Sequence, residues 1–228
     1  MPIMNEFLDR SSSFAYSCNG CGRCCRCFRI QVNPYEVLRL ARHLGVSTAD
    51  FTSRYLEDGP YLRRREDGVC VFLGDKLCGV HPARPLVCRL YPLVRHVSAQ
   101  DEEGFSILAQ VPGGEGRFEG GGAVQDFLDQ QGAEAYMAAA DGYLRLFRRM
   151  DSGLARVQGT ADSEAVGGPA EEAGGAGGVN DLLDPDSMVA RHCAAMGVTV
   201  PDDPEAMAAI HIEAIGKWLD AFLEERET

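Results

Sequence analysis

A chain of 228 residues, 45% hydrophobic and 25% charged, can bury one domain with additions or two small ones. Its net charge of −12 opposes a phosphate-backbone partner, and no basic stripe interleaved with aromatics appears, so nucleic-acid binding is not expected. The opening MPIMNEFLDRSSSF has no basic start followed by an apolar run, and no apolar stretch approaches the roughly 20 residues of a membrane helix, so a cytoplasmic protein with no membrane partner is expected.

In chain order, the first feature is the run CNGCGRCCRC, which holds Cys18, Cys21, Cys24, Cys25 and Cys27. Gly20 and Gly22 allow it to turn tightly and to aim amide hydrogens at sulfur. Next, Asn33, Pro34 and Glu36 form an N-cap, a first-turn proline and a capping box. They open a helix with Val37, Leu38, Leu40, Ala41 and Leu44 as its apolar stripe, ended by Gly45. Ser47 and Asp50 start a shorter helix through Phe51, Tyr55 and Leu56, expected to pack with the first as an αα pair beside the cysteine loop. Residues 61–72 predict a hairpin around Asp67-Gly68, with Cys70 on its second strand.

Pro82 and Pro85 make HPARPLVC a tight turn or one helical turn that returns Cys88 toward the core. LVRHVSA and FSILAQV predict a strand pair. Residues 123–150 predict a long helical region broken at Gly132, burying Phe127, Leu128, Tyr136, Met137, Leu144 and Phe147. Residues 153–178 are rich in Gly, Ala, Ser and Glu and read as a flexible linker. Asp184-Pro185 and Asp203-Pro204 each predict a capped helix start. The last helix carries Met207, Ile210, Ala214, Ile215, Trp218, Leu219 and Phe222 as a packing stripe. The expected architecture is α+β: a cysteine-cluster metal-binding domain over 14–150 with short hairpins and long helices, the 153–178 linker, and a helical segment over 179–228 packing on the main domain.

The cysteines carry the chemistry. Residues 1–110 have 14 Arg and Lys against 12 Asp and Glu, whereas 111–228 have 8 against 22, so the thiols lie in the basic half. Arg23, Arg26, Arg29, Arg84 and Arg89 there would favour thiolates. In a reducing compartment this density points to metal ligation or redox chemistry before disulfides. Cys18, Cys21 and Cys24 have the spacing of three ferredoxin ligands, but Phe28 and the missing Cys-Pro exclude a ferredoxin.

With Cys25, Cys70, Cys78 and Cys88 the set reaches seven sulfurs, where one zinc or one cubane takes four. Either one site is open and spare thiols react, or two metal sites adjoin. His81 is an eighth candidate ligand. Cys27 alternates away from Cys25, and Cys193 reads as a buried apolar thiol.

CNGCGRCC, then CVFL, then CGVHPARPLVCRLYP resembles the YkgJ-type cysteine-cluster family, described as zinc- or iron-chelating proteins, over roughly residues 14–96. The resemblance implies a bacterial cytoplasmic protein whose metal site is Cys18, Cys21, Cys24, Cys25, Cys70, Cys78 and Cys88. It also places the family's Arg-Pro and Cys-Arg pairs on Arg84, Pro85, Cys88 and Arg89. Cys27 lies outside the motif. The flagellin lysine N-methylases share the cysteine motif and are associated with an iron–sulfur cluster. The expected cofactor is thus an iron–sulfur cluster, of 4Fe–4S type, with zinc as the alternative.

Three functions follow. The first is metal chelation, and the second is lysine N-methylation of a protein substrate. The third is thiol-based metal handling or redox sensing. The only methyl-donor-like element is VPGGEGRF at 111–118. Arg84 and Arg89 would either orient an anionic cofactor group or cap carbonyls of the proline turn.

Overall fold

The computed structural model describes residues 3–75, 77–160 and 182–227 of the chain. It is an α+β protein of helices and small antiparallel sheets, divided into two compact units. One unit comprises Met1–Val32 with Tyr55–Met137, the other Asn33–Arg54 with Ala138–Thr228.

The first unit holds β1 (Ile3–Leu8), α1 (Arg23–Cys27), β2 (Leu56–Glu57), β3 (Tyr61–Leu62), α4 (Leu86–Leu90), β4 (Leu93–Val97), β5 (Glu103–Leu108) and α5 (Val124–Gln130). The first turn of α6 (Glu134–Thr160) also belongs to it. β5 is central in a three-stranded antiparallel sheet of order β1-β5-β4, with Leu93 opposite Ile107 and Arg95 opposite Phe105. LVRHV and the FSIL stretch pair as the sequence predicts. Glu103 fastens the sheet edge, accepting from Arg10 Nε and from Arg95 Nε, both at 2.5 Å.

The expected hairpin over 61–72 is smaller than its sequence suggests. Gly68, at φ +75°, makes the turn after Asp67, and Arg65 N–H reaches Val69 O at 2.8 Å. Beyond that the pairing is a single bridge, Arg64 with Cys70, because Tyr61 and Leu62 pair backward with β2. Cys70 therefore sits at a bridge, not on a strand.

The second unit is helical: α2 (Pro34–Leu44), α3 (Thr48–Tyr55, as far as Arg54), the remainder of α6, α7 (Pro185–Met196) and α8 (Pro204–Glu227). The capping box at α2 forms as read: Asn33 accepts from Glu36 N–H at 3.0 Å, and Glu36 accepts from Asn33 N–H at 2.8 Å. Asp184 caps α7, and Asp203 accepts from Ala206 N–H at 2.8 Å to cap α8. α2 packs against α7 and α8, so residues 33–54 group with the C-terminal helices in the second unit. Leu38, Val189, Cys193 and Met207 form one buried cluster, which places Cys193 as an apolar core thiol. Gly142 and Gly153 of α6 lie where a Cβ would meet Ile212 and Leu223 of α8, so their bareness lets the helices approach closely.

The 153–178 linker expectation falls largely outside the described residues, since 161–181 are not among them. The helical region does break at Gly132, whose φ is +56°. Its buried face differs from the expectation: Phe147 is exposed and Leu144 half-buried, while Tyr143 and Leu146 are buried. The stripe Tyr136, Ala139, Tyr143 and Leu146 follows the 3.6-residue period, and Phe147 lies one position round from it. Among the described residues, no helix is long and apolar enough to cross a membrane.

His211 of α8 is fully buried; its Nδ1 lies 2.9 Å from Tyr143 Oη and its Nε2 has no partner. Burial lowers its pKa to about 4, with Asp184 opposing weakly. An unfolded histidine, at about 6.5, binds its proton first. The stability that depends on neutral His211 is thus complete above about pH 6.5 and falls by about 3 kcal/mol as the pH drops toward 4. Chemical denaturation of the helical unit across that range should show this loss, and the loss should shrink in His211→Gln. A pH-independent midpoint would refute the assignment.

Candidate metal centre

The first cysteine loop is shaped by two left-handed glycines. Gly20 and Gly22 sit at φ +73° and +69°, and Gly20 N–H points at Cys18 Sγ at 3.4 Å. Neither glycine has room for a Cβ, because Leu77 lies over Gly20 and Leu73 over Gly22. These leucines flank Cys78, which pairs with Leu73 in a bridge. The second cysteine segment is thereby packed onto the first.

The backbone joins them too. Cys70 N–H donates to Cys25 O at 3.1 Å, and the Arg64 guanidinium donates to Arg26 O at 2.8 Å. Cys88 arrives on α4, whose start at Pro85 follows a 3-10 turn over His81–Ala83. None of the eight cysteines of this unit is in a disulfide: Cys70 is buried, Cys21, Cys24, Cys25, Cys78 and Cys88 are half-buried, and Cys18 and Cys27 are exposed.

Several of the thiols lie close enough to influence one another's protonation. The Cys25 thiol donates to Cys24, which brings the Cys24 pKa down to about 7. The same bond, burial, and the charges of Cys24, Cys88 and Cys78 push Cys25 strongly up. Burial raises Cys70, with Arg64 and Arg65 opposing; it also raises Cys78, where Cys70 and Cys24 add to the rise and Arg84 opposes. Burial raises Tyr16 and Tyr91; Tyr91 and then Cys18, Cys24 and Cys21 add to the rise at Tyr16, and at Tyr91 a hydrogen bond with Val111 N–H opposes it while Cys24, Cys21 and Cys27 add to it. Cys25, Cys70 and Cys78 are thus held as protonated thiols, and thiols are the donors that a soft metal ion selects. Among the described residues, no group of three or more His, Cys, Asp or Glu side chains stands where it could hold a metal ion.

The neighbouring arginines have structural duties. Arg84 Nη1 donates to His81 O at 2.7 Å, and Nη2 donates to Gln131 Oε1 at 2.6 Å. Arg89 is buried, with donations to Arg84 O, Gln131 O and Pro82 O at 2.9, 2.7 and 2.6 Å. It also donates to Tyr136 Oη at 2.9 Å and lies 4.1 Å from that ring's centroid. Both arginines thus cap carbonyls of the proline turn. Arg84 additionally stands in the field of Cys88, Cys18 and Cys78. Arg29 is drawn to Asp58 at 2.5 Å and over the Tyr61 ring.

The glycine loop at 111–118 closes on Tyr16: a Cβ at Gly116 would fall 1.9 Å from its hydroxyl, and Ser17 pairs with Arg117. The loop serves as a wall beside the cysteines. His81 is exposed, with Nδ1 3.3 Å from Arg84 Nη1.

Sequence reading missed the aromatic wall. Tyr16 and Tyr91 rings lie 6.0 Å apart; Phe28 packs on Tyr91 at 5.8 Å and Phe118 on Tyr16 at 5.1 Å. The available signal was proximity in sequence, since Tyr16 precedes Cys18 by two residues and Tyr91 follows Cys88 by three.

Residues 17–110, which are 94 of the 228, match the CxxCxxCC family, described as a putative zinc- or iron-chelating domain. Neither the curated proteins nor the solved structures contain a match to the chain. The segment that packs Cys70 and Cys78 onto the CNGCGRCC loop is therefore the part of the chain that is similar to the CxxCxxCC family.

Proposed function

We propose that this protein chelates a thiophilic metal centre, an iron–sulfur cluster or zinc, through Cys18, Cys21, Cys24, Cys25, Cys70, Cys78 and Cys88. The observation that carries the reading is the gathering of two separated cysteine segments by packing and by the Cys70 to Cys25 backbone bond. Cys25, Cys70 and Cys78, whose pKa values are raised, would give up their protons to a bound cation. The metal would supply cross-linking of loops that have little regular structure of their own. The protein's residues orient the thiols, with Gly20 N–H aimed at Cys18 sulfur and Arg64, Arg65 and Arg84 countering thiolate charge.

Anaerobic purification followed by metal and sulfide analysis tests this. Iron with equimolar acid-labile sulfide and broad visible absorption selects the cluster; colourless protein with stoichiometric zinc selects zinc. Protein that takes up neither under reducing conditions would overturn the reading.

A further inference from the structure

The loop from Cys18 to Gly22 is anchored at its ends and hardly at all between them. Its start is fixed by a reciprocal backbone pair, Ser17 N–H to Arg117 O at 2.9 Å and Arg117 N–H to Ser17 O at 3.0 Å. It runs into α1, whose carbonyls at Cys25 and Arg26 accept from Cys70 N–H and from Arg64 at 3.1 and 2.8 Å. Among the described residues, no backbone hydrogen bond joins Cys18–Gly22 to another segment. Gly20 N–H and Cys21 N–H bond inside the loop, to Cys18 Sγ at 3.4 Å and to Asn19 Oδ1 at 3.3 Å. Gly20 and Gly22 give it two points where the backbone turns freely. Leu77, which lies over Gly20, is itself 56% exposed, so its packing is a weak hold.

One polar tie crosses from this loop to a neighbour: Asn19 Nδ2 donates to Glu115 Oε2 at 3.0 Å. Glu115 stands on a fixed support. Gln110 Nε2 donates to Gly116 O at 2.7 Å, Val111 N–H donates to Tyr91 Oη at 3.1 Å, and Gly116 lies against the Tyr16 hydroxyl. A carboxylate held in place from outside therefore sets where the loop rests.

The thiols as they stand do not form a group that could hold an ion, so a segment must move before they can. Cys70 is buried and backbone-bonded to Cys25, and Cys88 is built into α4, whereas Cys18 and Cys21 ride on the loosely held loop. We propose that Cys18–Gly22 is a latched gate: the Asn19–Glu115 bond holds it in an open resting position, and release of that bond lets it carry Cys18 and Cys21 to the other thiols. The inference rests on the metal-chelating reading and adds the movement that reading needs, with Asn19 and Glu115 as positioning residues outside the cysteine set.

The test compares the full chain, reduced and metal-free, with Glu115→Ala and Glu115→Gln. Glutamine keeps an acceptor for Asn19 and removes only the charge. The first readout needs no metal: the rate at which an uncharged maleimide modifies half-buried Cys21, mapped against exposed Cys27 of the same chain. Glu115→Ala should speed Cys21 roughly 2- to 10-fold, the factor that one hydrogen bond contributes to an opening equilibrium, and leave Cys27 unchanged. Glu115→Gln should stay close to the unaltered protein. The second readout is the stopped-flow rate of uptake of zinc ions. Loss of a carboxylate by itself slows the approach of a cation. Release of the latch predicts the opposite, a rise by the same factor in Glu115→Ala alone. Equal Cys21 rates in all three proteins, or equal acceleration by both substitutions, would overturn the latch. Faster Cys21 modification without faster zinc uptake in Glu115→Ala would overturn the loop's part in binding while leaving chelation intact. No zinc bound by the unaltered protein would remove the chelating reading, and the gate with it, whatever the maleimide rates.

Discussion

Stripping the metal with a strong chelator under reducing conditions should destabilise the first unit by an amount on the order of 10 kcal/mol, the scale on which structural zinc supports small domains. Around the cysteines this unit has only two five-residue helices, a 3-10 turn, a two-residue strand pair and isolated bridges. Elements that short contribute little cooperative backbone stability, so cross-links must replace it.

Hydrogen exchange should therefore quicken by orders of magnitude over 17–32 and 63–92 on metal removal. The buried cluster of Leu38, Val189, Cys193 and Met207 belongs to the helical unit and should keep its protection. Equal exchange in the cysteine segments with and without metal would show that the centre is not structural. Acid should act in the same direction as the chelator. The raised thiols of Cys70 and Cys78 must lose protons to ligate, so affinity falls as pH falls.

Arg89→Ala is expected to cost about 3–5 kcal/mol, near the upper end for a single substitution. The buried guanidinium serves three backbone carbonyls, at Pro82, Arg84 and Gln131, and the Tyr136 hydroxyl. Its removal leaves acceptors buried without their donor, a larger penalty than the net worth of the bonds. Arg89→Lys should recover only part of the loss, because one ammonium cannot reproduce the planar fork or its stacking on Tyr136. Denaturant unfolding of metal-loaded protein measures both variants. A loss below about 1 kcal/mol for Arg89→Ala would mean that water replaces the guanidinium. Because Arg89 holds the turn that delivers Cys88, Arg89→Ala should also weaken metal binding.

Much of the local structure was legible in the sequence, because its causes lie within four or five residues. The caps at Asn33, Asp184 and Asp203 depend on a side chain reaching amides in the next turn. Gly68 and Gly132 break regular structure through their own backbone angles. The cysteine spacing alone announced a soft-metal chemistry, since few other needs place five thiols in ten residues.

Tertiary structure decided what depends on distant partners. Amphipathic periodicity told α2 to bury a face but not against what, and its partners prove to be helices about 150 residues away. In α6 the same periodicity allowed Phe147 or Leu146 to face inward, and packing chose Leu146. His211 sits in an apolar stripe, yet only burial beside Tyr143 makes it a neutral histidine with an unpaired nitrogen. Arg89 was one basic residue among many until the proline turn and the end of α5 converged on it.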